Sequence, residues 1–267
     1  MKTLVLMLST VLYFSTTNPI KAADKPLLWE VGETLTYKVN WSFFRLGTLK
    51  LTVEDTTRIN NHRVYQVRLN IDSNPVLFFV NVHSEIQTFF DDDLNTHLFI
   101  STEEMDDITY NTRYQYNYED SILSIDLTDE EDPDNRIHKQ RKFTGQSLDG
   151  TSLIYYARFH SGKTRIDTVY YLFSGEPNAA IIEFEGESKS FKVDGIEEPL
   201  DTYYLEGNIP GKGISGLKGK FKGWFSRFGS KPPLKAELKV FIGHVSLTLE
   251  SWENCVFYPV GEKTRNN

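Results

Sequence analysis

Cysteine is almost absent from this sequence, which has one, Cys255, in 267 residues. A disulfide framework and a zinc or iron–sulfur site built from clustered cysteines are therefore excluded. Positive charge is also scarce, with 29 lysine and arginine residues against 37 aspartate and glutamate residues. This balance argues against nucleic-acid binding, because that affinity rests on neutralising phosphates. We expect the lone cysteine to be inert and partly buried.

Long apolar runs are missing too. A membrane-spanning helix needs about 20 consecutive apolar residues, and no stretch of the sequence reaches that length. The apolar stretch at residues 4–14 is shorter; it follows Lys2 and precedes a polar stretch that ends at Ala22. These are the three parts of a cleaved secretory signal. We therefore predict that residues 1–22 are a signal peptide, residues 23–255 a single β domain and residues 256–267 a C-terminal tail.

Alternation of apolar and polar residues dominates the rest of the chain. In residues 34–41 it places Leu35, Tyr37, Val39 and Trp41 on one face of a strand. Similar strand signals occur at residues 49–53, 65–71, 110–118, 121–127, 167–173, 180–184, 189–193, 202–206, 234–242 and 245–252. One helix is expected at residues 152–159, capped by Asp149 or Thr151. The pattern predicts an all-β, antiparallel domain.

Three blocks of sequence follow one another with characteristic spacing. The first is VGETLTYKVNW at residues 31–41, followed by Leu46 and Gly47. The second is LDGTSLIYYAR at residues 148–158. The third is GKFKGWF at residues 219–225, with PPLK and IGHVSLTL soon after it. Together they resemble the bacterial domain of unknown function family 3108, whose members are exported envelope proteins.

The resemblance implies a curved antiparallel sheet that forms an open or spiral β-barrel with one short helix, similar in outline to periplasmic lipoprotein carriers. It also implies a periplasmic location. It implies no activity, because none is established for the family. Within the blocks, Gly32 and Gly47 are predicted to lie at turns, where a positive φ or a close approach favours glycine. Trp41 and Trp224 are predicted to anchor the concave core.

An apolar concave face would offer a groove for an acyl chain or a hydrophobic peptide. The side chains predicted to line it are aromatic: Tyr37, Trp41, Phe78, Phe79, Tyr114, Tyr116 and Trp224. The first hypothesis is therefore a non-enzymatic binding or carrier module for a lipid-like envelope ligand, which needs no cofactor.

A row of lysines is the sharpest charged feature. As a strand, residues 217–224 place Lys218, Lys220 and Lys222 on one face and Leu217, Gly219, Phe221 and Gly223 on the other. With Arg227, these lysines suit an anionic membrane surface or an acidic envelope protein. A solvated face that guards a sheet edge is the simpler interpretation of the same lysines. The second hypothesis is thus a scaffold that binds a partner through residues 218–239 or through the acidic residues 103–134.

Motifs for catalysis, metals and nucleotides are weak. GKGISG at residues 211–216 lacks the βαβ context of a dinucleotide site and is predicted to be a loop. Asp91, Asp92 and Asp93 favour a solvated turn over a calcium loop. The six histidines are scattered and are interpreted as isolated residues: His62, His83, His97, His138, His160 and His244. No metal is predicted, and a glycan-acting hydrolase, which needs two facing carboxylates, is the third hypothesis.

Overall fold

The computed structural model describes residues 28–76, 81–105, 108–130, 132, 134, 136–173, 175–193, 196, 198–209, 219–240 and 243–257. The predicted signal peptide lies outside these residues, as do Phe78, Phe79, Lys218 and the loop 211–216. No helix in the described part is long and apolar enough to cross a membrane.

The described chain forms a 14-stranded antiparallel sheet and one helix, which confirms the predicted all-β class. The elements are β1 (Thr34–Trp41), β2 (Phe44–Ile59), β3 (His62–Ser73), β4 (Val82–Phe90), β5 (Thr96–Met105), β6 (Ile108–Asn117), β7 (Ile122–Asp129), β8 (Ile137–Lys142), α1 (Gly150–His160), β9 (Arg165–Phe173), β10 (Glu176–Phe191), β11 (Leu200–Ile209), β12 (Gly219–Ser226), β13 (Pro233–Lys239) and β14 (His244–Glu253).

The sheet curls into a barrel that does not close. Strand β1 pairs with β14 in the middle of the sheet. From there, β1 to β8 follow one another to one edge, and β14 back to β9 follow one another to the other edge. The edge strands β8 and β9 share no ladder, but two side chains of β8 reach the turn between β9 and β10. Lys139 Nζ lies 2.8 Å from Glu176 Oε1, and Arg141 donates to the Gly175 carbonyl at 3.2 Å. The predicted open barrel is confirmed.

Helix α1 connects the two edges and packs inside the curl. Asp149, one of the two predicted caps, is its N-cap, and the carboxylate accepts hydrogen bonds from the backbone N–H groups of Thr151 and Ser152. The hydroxyls of Thr88 and Thr96 also donate to this carboxylate, at 3.1 and 2.8 Å. The cap therefore fixes the start of the helix to strands β4 and β5.

One end of the barrel is plugged, and is called the closed end below. Arg158 of α1 donates two hydrogen bonds to the Glu33 carboxylate, at 2.6 and 2.7 Å, and others to the carbonyls of Leu28 and Ser230. Trp29 packs edge-on against aromatic rings beside this ion pair. The helix, the segment before β1 and the β12–β13 connection are thus joined at one point.

Aromatic rings fill the interior behind β5 to β8. Phe99 stacks on Tyr114 with ring centroids 5.1 Å apart, and Tyr116 meets Phe143 edge-on at 5.5 Å. The Gly175 N–H donates to the Tyr114 hydroxyl oxygen at 2.8 Å. Side chains therefore fill most of this half of the barrel.

The two glycines of the first block behave differently. Gly32 has a φ of 92° in a turn, as predicted. Gly47 lies inside β2, so its predicted turn is wrong; the chain reverses at Ser42 and Phe43 instead. A Cβ atom at Gly47 would overlap the carbonyl oxygen of Asp72 on β3, so close backbone approach is what requires glycine there.

Cys255 is buried at the closed end. Burial and the nearby Glu33 carboxylate raise the pKa of the Cys255 thiol to about 12. The thiol therefore stays protonated at neutral pH, in keeping with an inert residue.

Candidate functional site

A cavity of about 370 Å³ occupies the other half of the barrel and is partly open to solvent. It lies between the concave sides of β1 to β3 and β11 to β14, with α1 along one wall. The lining surface is almost wholly apolar and is mainly aliphatic, including Leu49, Leu51, Leu69, Ile71, Leu205 and Leu247. Its volume is typical of small-molecule sites.

Two small residues lie in the wall of this cavity. Leu205, Gly223, Ala236, Leu247 and Val39 form one inward row, because each pairs with the next across β11, β12, β13, β14 and β1. The second and third positions of the row are Gly223, which carries no side chain, and Ala236, which carries a single methyl group. The side chains of Leu205 and Phe225 lean over Gly223, since a Cβ atom there would lie 3.1 and 3.0 Å from their carbons, and both small residues border the cavity.

Tyr37 contributes its ring to the cavity wall. Its hydroxyl donates to the Pro233 carbonyl at 2.9 Å, and burial raises the pKa of the phenol well above its ordinary value. The polar tip is therefore satisfied by the backbone, and the ring presents carbon to the cavity.

Aromatic side chains gather at the rim of the cavity. Trp41 pairs with Val245, which lines the cavity, and its ring stacks on Phe44 at 6.5 Å. Phe43, at the tip of the β1–β2 turn, is 83% exposed, and Phe44 is 44% exposed. An apolar cluster thus meets solvent beside the open end.

The structure does not bring the predicted groove residues together. Tyr37 lies on the wall, and Trp41 lies at the rim without anchoring the core. Tyr116 is fully buried among the packed rings, and Tyr114 borders a separate cavity of about 90 Å³.

Trp224 lies on the outer face, so its predicted place in the concave core is wrong. Alternation along β12 turns Phe221, Gly223 and Phe225 inward. The indole ring of Trp224 instead stacks on Phe191 with centroids 6.1 Å apart and lies under Lys235 Nζ at 5.2 Å. The outward position of Trp224 is fixed because β12 pairs with β11 on one side and with β13 on the other.

Sequence reasoning missed the aliphatic wall and the small residues of the inward row. Their signal was present, since leucine and isoleucine alternate with polar residues in residues 49–53 and 65–71. What the pattern did not contain was the alignment of Gly223 with Ala236, which depends on strand register.

The lysine row faces outward, as its alternation predicts, with Lys220 and Lys222 exposed. Lys222, however, pairs in register with Glu206 on one side and Glu237 on the other. Arg227 lies 3.6 Å from Asp201. The carboxylates reduce the positive potential of this face, and its binding of an anionic partner stays a prediction.

The prediction of isolated histidines is wrong for His62 and His97, which lie together, and His83, His138 and His160 also have side-chain partners. His97 Nε2 lies 3.1 Å from Asp91 Oδ2, and the His62 and His97 rings have centroids 4.8 Å apart. The three residues form a cluster at the closed end, away from the cavity rim.

Comparisons with known proteins identify a solved structure with a similar fold and the family of this chain. No curated protein matches it. It is similar to the crystal structure of a β-barrel-like protein of domain of unknown function DUF1849 from Brucella abortus, with a TM-score of 0.54 and 9% identity. That match covers 84% of this chain and 97% of the other, and at this identity it supports the fold alone. A family model described as protein of unknown function (DUF3108) matches residues 36–250, which confirms the resemblance found in the sequence. The chain therefore belongs to the DUF3108 family.

Proposed function

We propose that this protein is a non-enzymatic carrier or binding module that holds a lipid-like ligand, such as an acyl chain, in the aliphatic cavity. The supporting observation is the partly open, almost wholly apolar space of about 370 Å³ whose lining includes Gly223 and Ala236. An apolar guest in such a space removes apolar surface from water and gains van der Waals contacts with the lining.

The physical driving force suits an acyl chain. Each methylene moved from water to an apolar site contributes about 0.8 kcal/mol, so roughly eight buried methylenes contribute about 6 kcal/mol before the cost of immobilisation. The Tyr37 hydroxyl is already bonded to a backbone carbonyl. The wall therefore selects a ligand by the length and shape of its apolar chain more than by the positions of its polar groups.

The proposal includes an exported, periplasmic location, which rests on the signal pattern of residues 1–22. In that compartment the ligand would come from a membrane. The rim cluster of Trp41, Phe43 and Phe44 supports contact with the membrane interface, where aromatic rings are favoured.

Replacing Ala236 with phenylalanine should fill the cavity and block the ligand. We expect binding of a fluorescent fatty-acid analogue to weaken by at least about tenfold, because overpacking removes the space that the chain occupies. The matched control is Glu237→Phe, the next residue on β13, which alternation turns to the opposite face. Native mass spectrometry of the mature protein purified gently, followed by lipid extraction, gives a second readout.

Equal affinity in the wild type and Ala236→Phe, with both folded by circular dichroism, would contradict the cavity as the binding site. A mature protein that neither carries a co-purifying acyl species nor binds the fluorescent analogue would contradict the carrier proposal itself.

The rim aromatics should control loading from membranes rather than affinity. We expect the double variant Phe43→Ser, Phe44→Ser to take up the fluorescent analogue from phosphatidylethanolamine–phosphatidylglycerol vesicles several-fold more slowly, with unchanged affinity in solution. Phe228→Ser, an exposed phenylalanine at the closed end, is the control. Unchanged uptake by the double variant would remove the rim from the proposal.

A further inference from the structure

We propose that His62, Asp91 and His97 bind a divalent transition-metal ion, with Zn²⁺ as the best-suited ion. One ligand atom from each residue lies within 4.8 Å of the other two. His62 begins β3, Asp91 directly follows β4, and His97 lies in β5, so three neighbouring strands meet at this point of the closed end. The site is independent of the proposed lipid cavity.

The donor set fits the chemistry of such ions. Two imidazole nitrogens and one carboxylate oxygen are ligands that zinc shares with nickel, copper and iron. Three protein ligands leave a coordination position for water or an exogenous ligand, as in open zinc sites. Calcium and magnesium prefer sets made only of oxygen.

Two of the three ligands are already held in place. The His97 side chain is 1% exposed, and its ring packs between those of His62 and Tyr118. The Asp91 carboxylate accepts hydrogen bonds from the backbone N–H groups of Asp93 and Asn95, at 3.0 and 2.9 Å. Outer hydrogen bonds of this kind orient metal-binding carboxylates.

The side chain of His62, the third ligand, must move for a metal ion to be bound by all three residues. Tetrahedral zinc with bonds of about 2.0–2.1 Å places its ligand atoms about 3.4 Å apart, less than the widest separation here. His62 is exposed beside the β2–β3 turn, so rotation of its side chain closes this gap without disturbing the core.

Other histidine–aspartate pairs of the protein provide internal controls. His138 Nδ1 lies 2.6 Å from Asp126, and His83 Nδ1 lies 3.0 Å from Asp72, both on exposed strand faces. Neither pair belongs to a described cluster of three ligand groups. If two residues were enough, these pairs would bind the ion as well.

The test is calorimetric titration of the tag-free mature protein with Zn²⁺ alone, together with the visible absorption of Co²⁺. We expect one ion per chain, and at least about tenfold weaker binding in His62→Ala, since loss of a ligand costs no less than loss of an outer hydrogen bond. Asp91→Asn should weaken binding as well, while His138→Ala should leave it unchanged. Because His62 is exposed, its variant should keep the wild-type circular dichroism spectrum.

Absence of binding in the wild type, or equal binding in the wild type and His62→Ala, would overturn the assignment. So would loss of the ion on His138→Ala. Binding of the fluorescent fatty-acid analogue should be unchanged in His62→Ala, which separates failure of this site from failure of the lipid cavity.

Discussion

Replacing Arg158 with methionine is expected to lower the free energy of unfolding by about 3–5 kcal/mol, because the Glu33 carboxylate would then be buried without its partner. The two side chains are 1% and 2% exposed. The guanidinium also donates to the carbonyls of Leu28 and Ser230. The substitution therefore leaves these two backbone carbonyls without their hydrogen-bond donor. Urea denaturation followed by circular dichroism measures the loss.

The companion variant removes both charges. In Arg158→Met, Glu33→Leu the uncompensated carboxylate is gone, so we expect a large part of the lost free energy of unfolding to return. This comparison separates the cost of a buried charge from the loss of packing. A single variant within about 1 kcal/mol of the wild type, or a double variant no more stable than the single one, would refute the central role of this ion pair.

Replacing Asp149 with alanine is expected to cost about 2–4 kcal/mol of unfolding free energy, from the lost N-cap and from the buried hydroxyls of Thr88 and Thr96 left without their acceptor. Asp149→Asn keeps a carbonyl oxygen for the N–H groups of Thr151 and Ser152 and should be far better tolerated. Thermal and urea unfolding of the two variants, side by side, measure the difference. Equal stability of the two variants would exclude the cap as the source of the effect.

The same residue gives a pH dependence of defined sign. Burial raises the pKa of the Asp149 carboxyl above its ordinary value, and the hydrogen bonds that it accepts oppose this only in part. The folded state therefore binds the proton more tightly than the unfolded state, and this residue's contribution to stability falls as pH rises from about 3.9 towards the folded-state pKa. Asp149→Asn lacks this loss, so its stability relative to the wild type should rise from about pH 4 to neutrality.

The strands and the helix cap could be predicted because they are local features. Alternation identifies the inward leucines, and Asp149 followed by Ser152 forms a reciprocal cap. Trp224 was also predictable, because the alternation that groups Lys220 with Lys222 assigns Trp224 to the same outer face. The prediction that Trp224 lies in the core was based on the size of its side chain, but the register of β12 decides which face of the sheet the side chain occupies.

The cavity and the metal cluster were beyond the sequence pattern for a different reason. The cavity lining includes Gly223 lying opposite Ala236. The cluster depends on His62 meeting Asp91, which follows the next strand, and His97, two strands further along the sheet. Both follow from which strands are neighbours and in which register. Alternation gives the face of a residue but not its position across the sheet.

The pairing of β1 with β14 has a consequence for the order of folding. Every other ladder joins strands that are consecutive in the chain, whereas this one places Thr34 opposite Glu253. Such a long loop carries the largest closure entropy, so we expect the meanders β1–β8 and β9–β14 to form first and to join last. The cavity has walls from both meanders and exists only after they join. A lipid would then bind the completed barrel alone and would stabilise it without assisting either half.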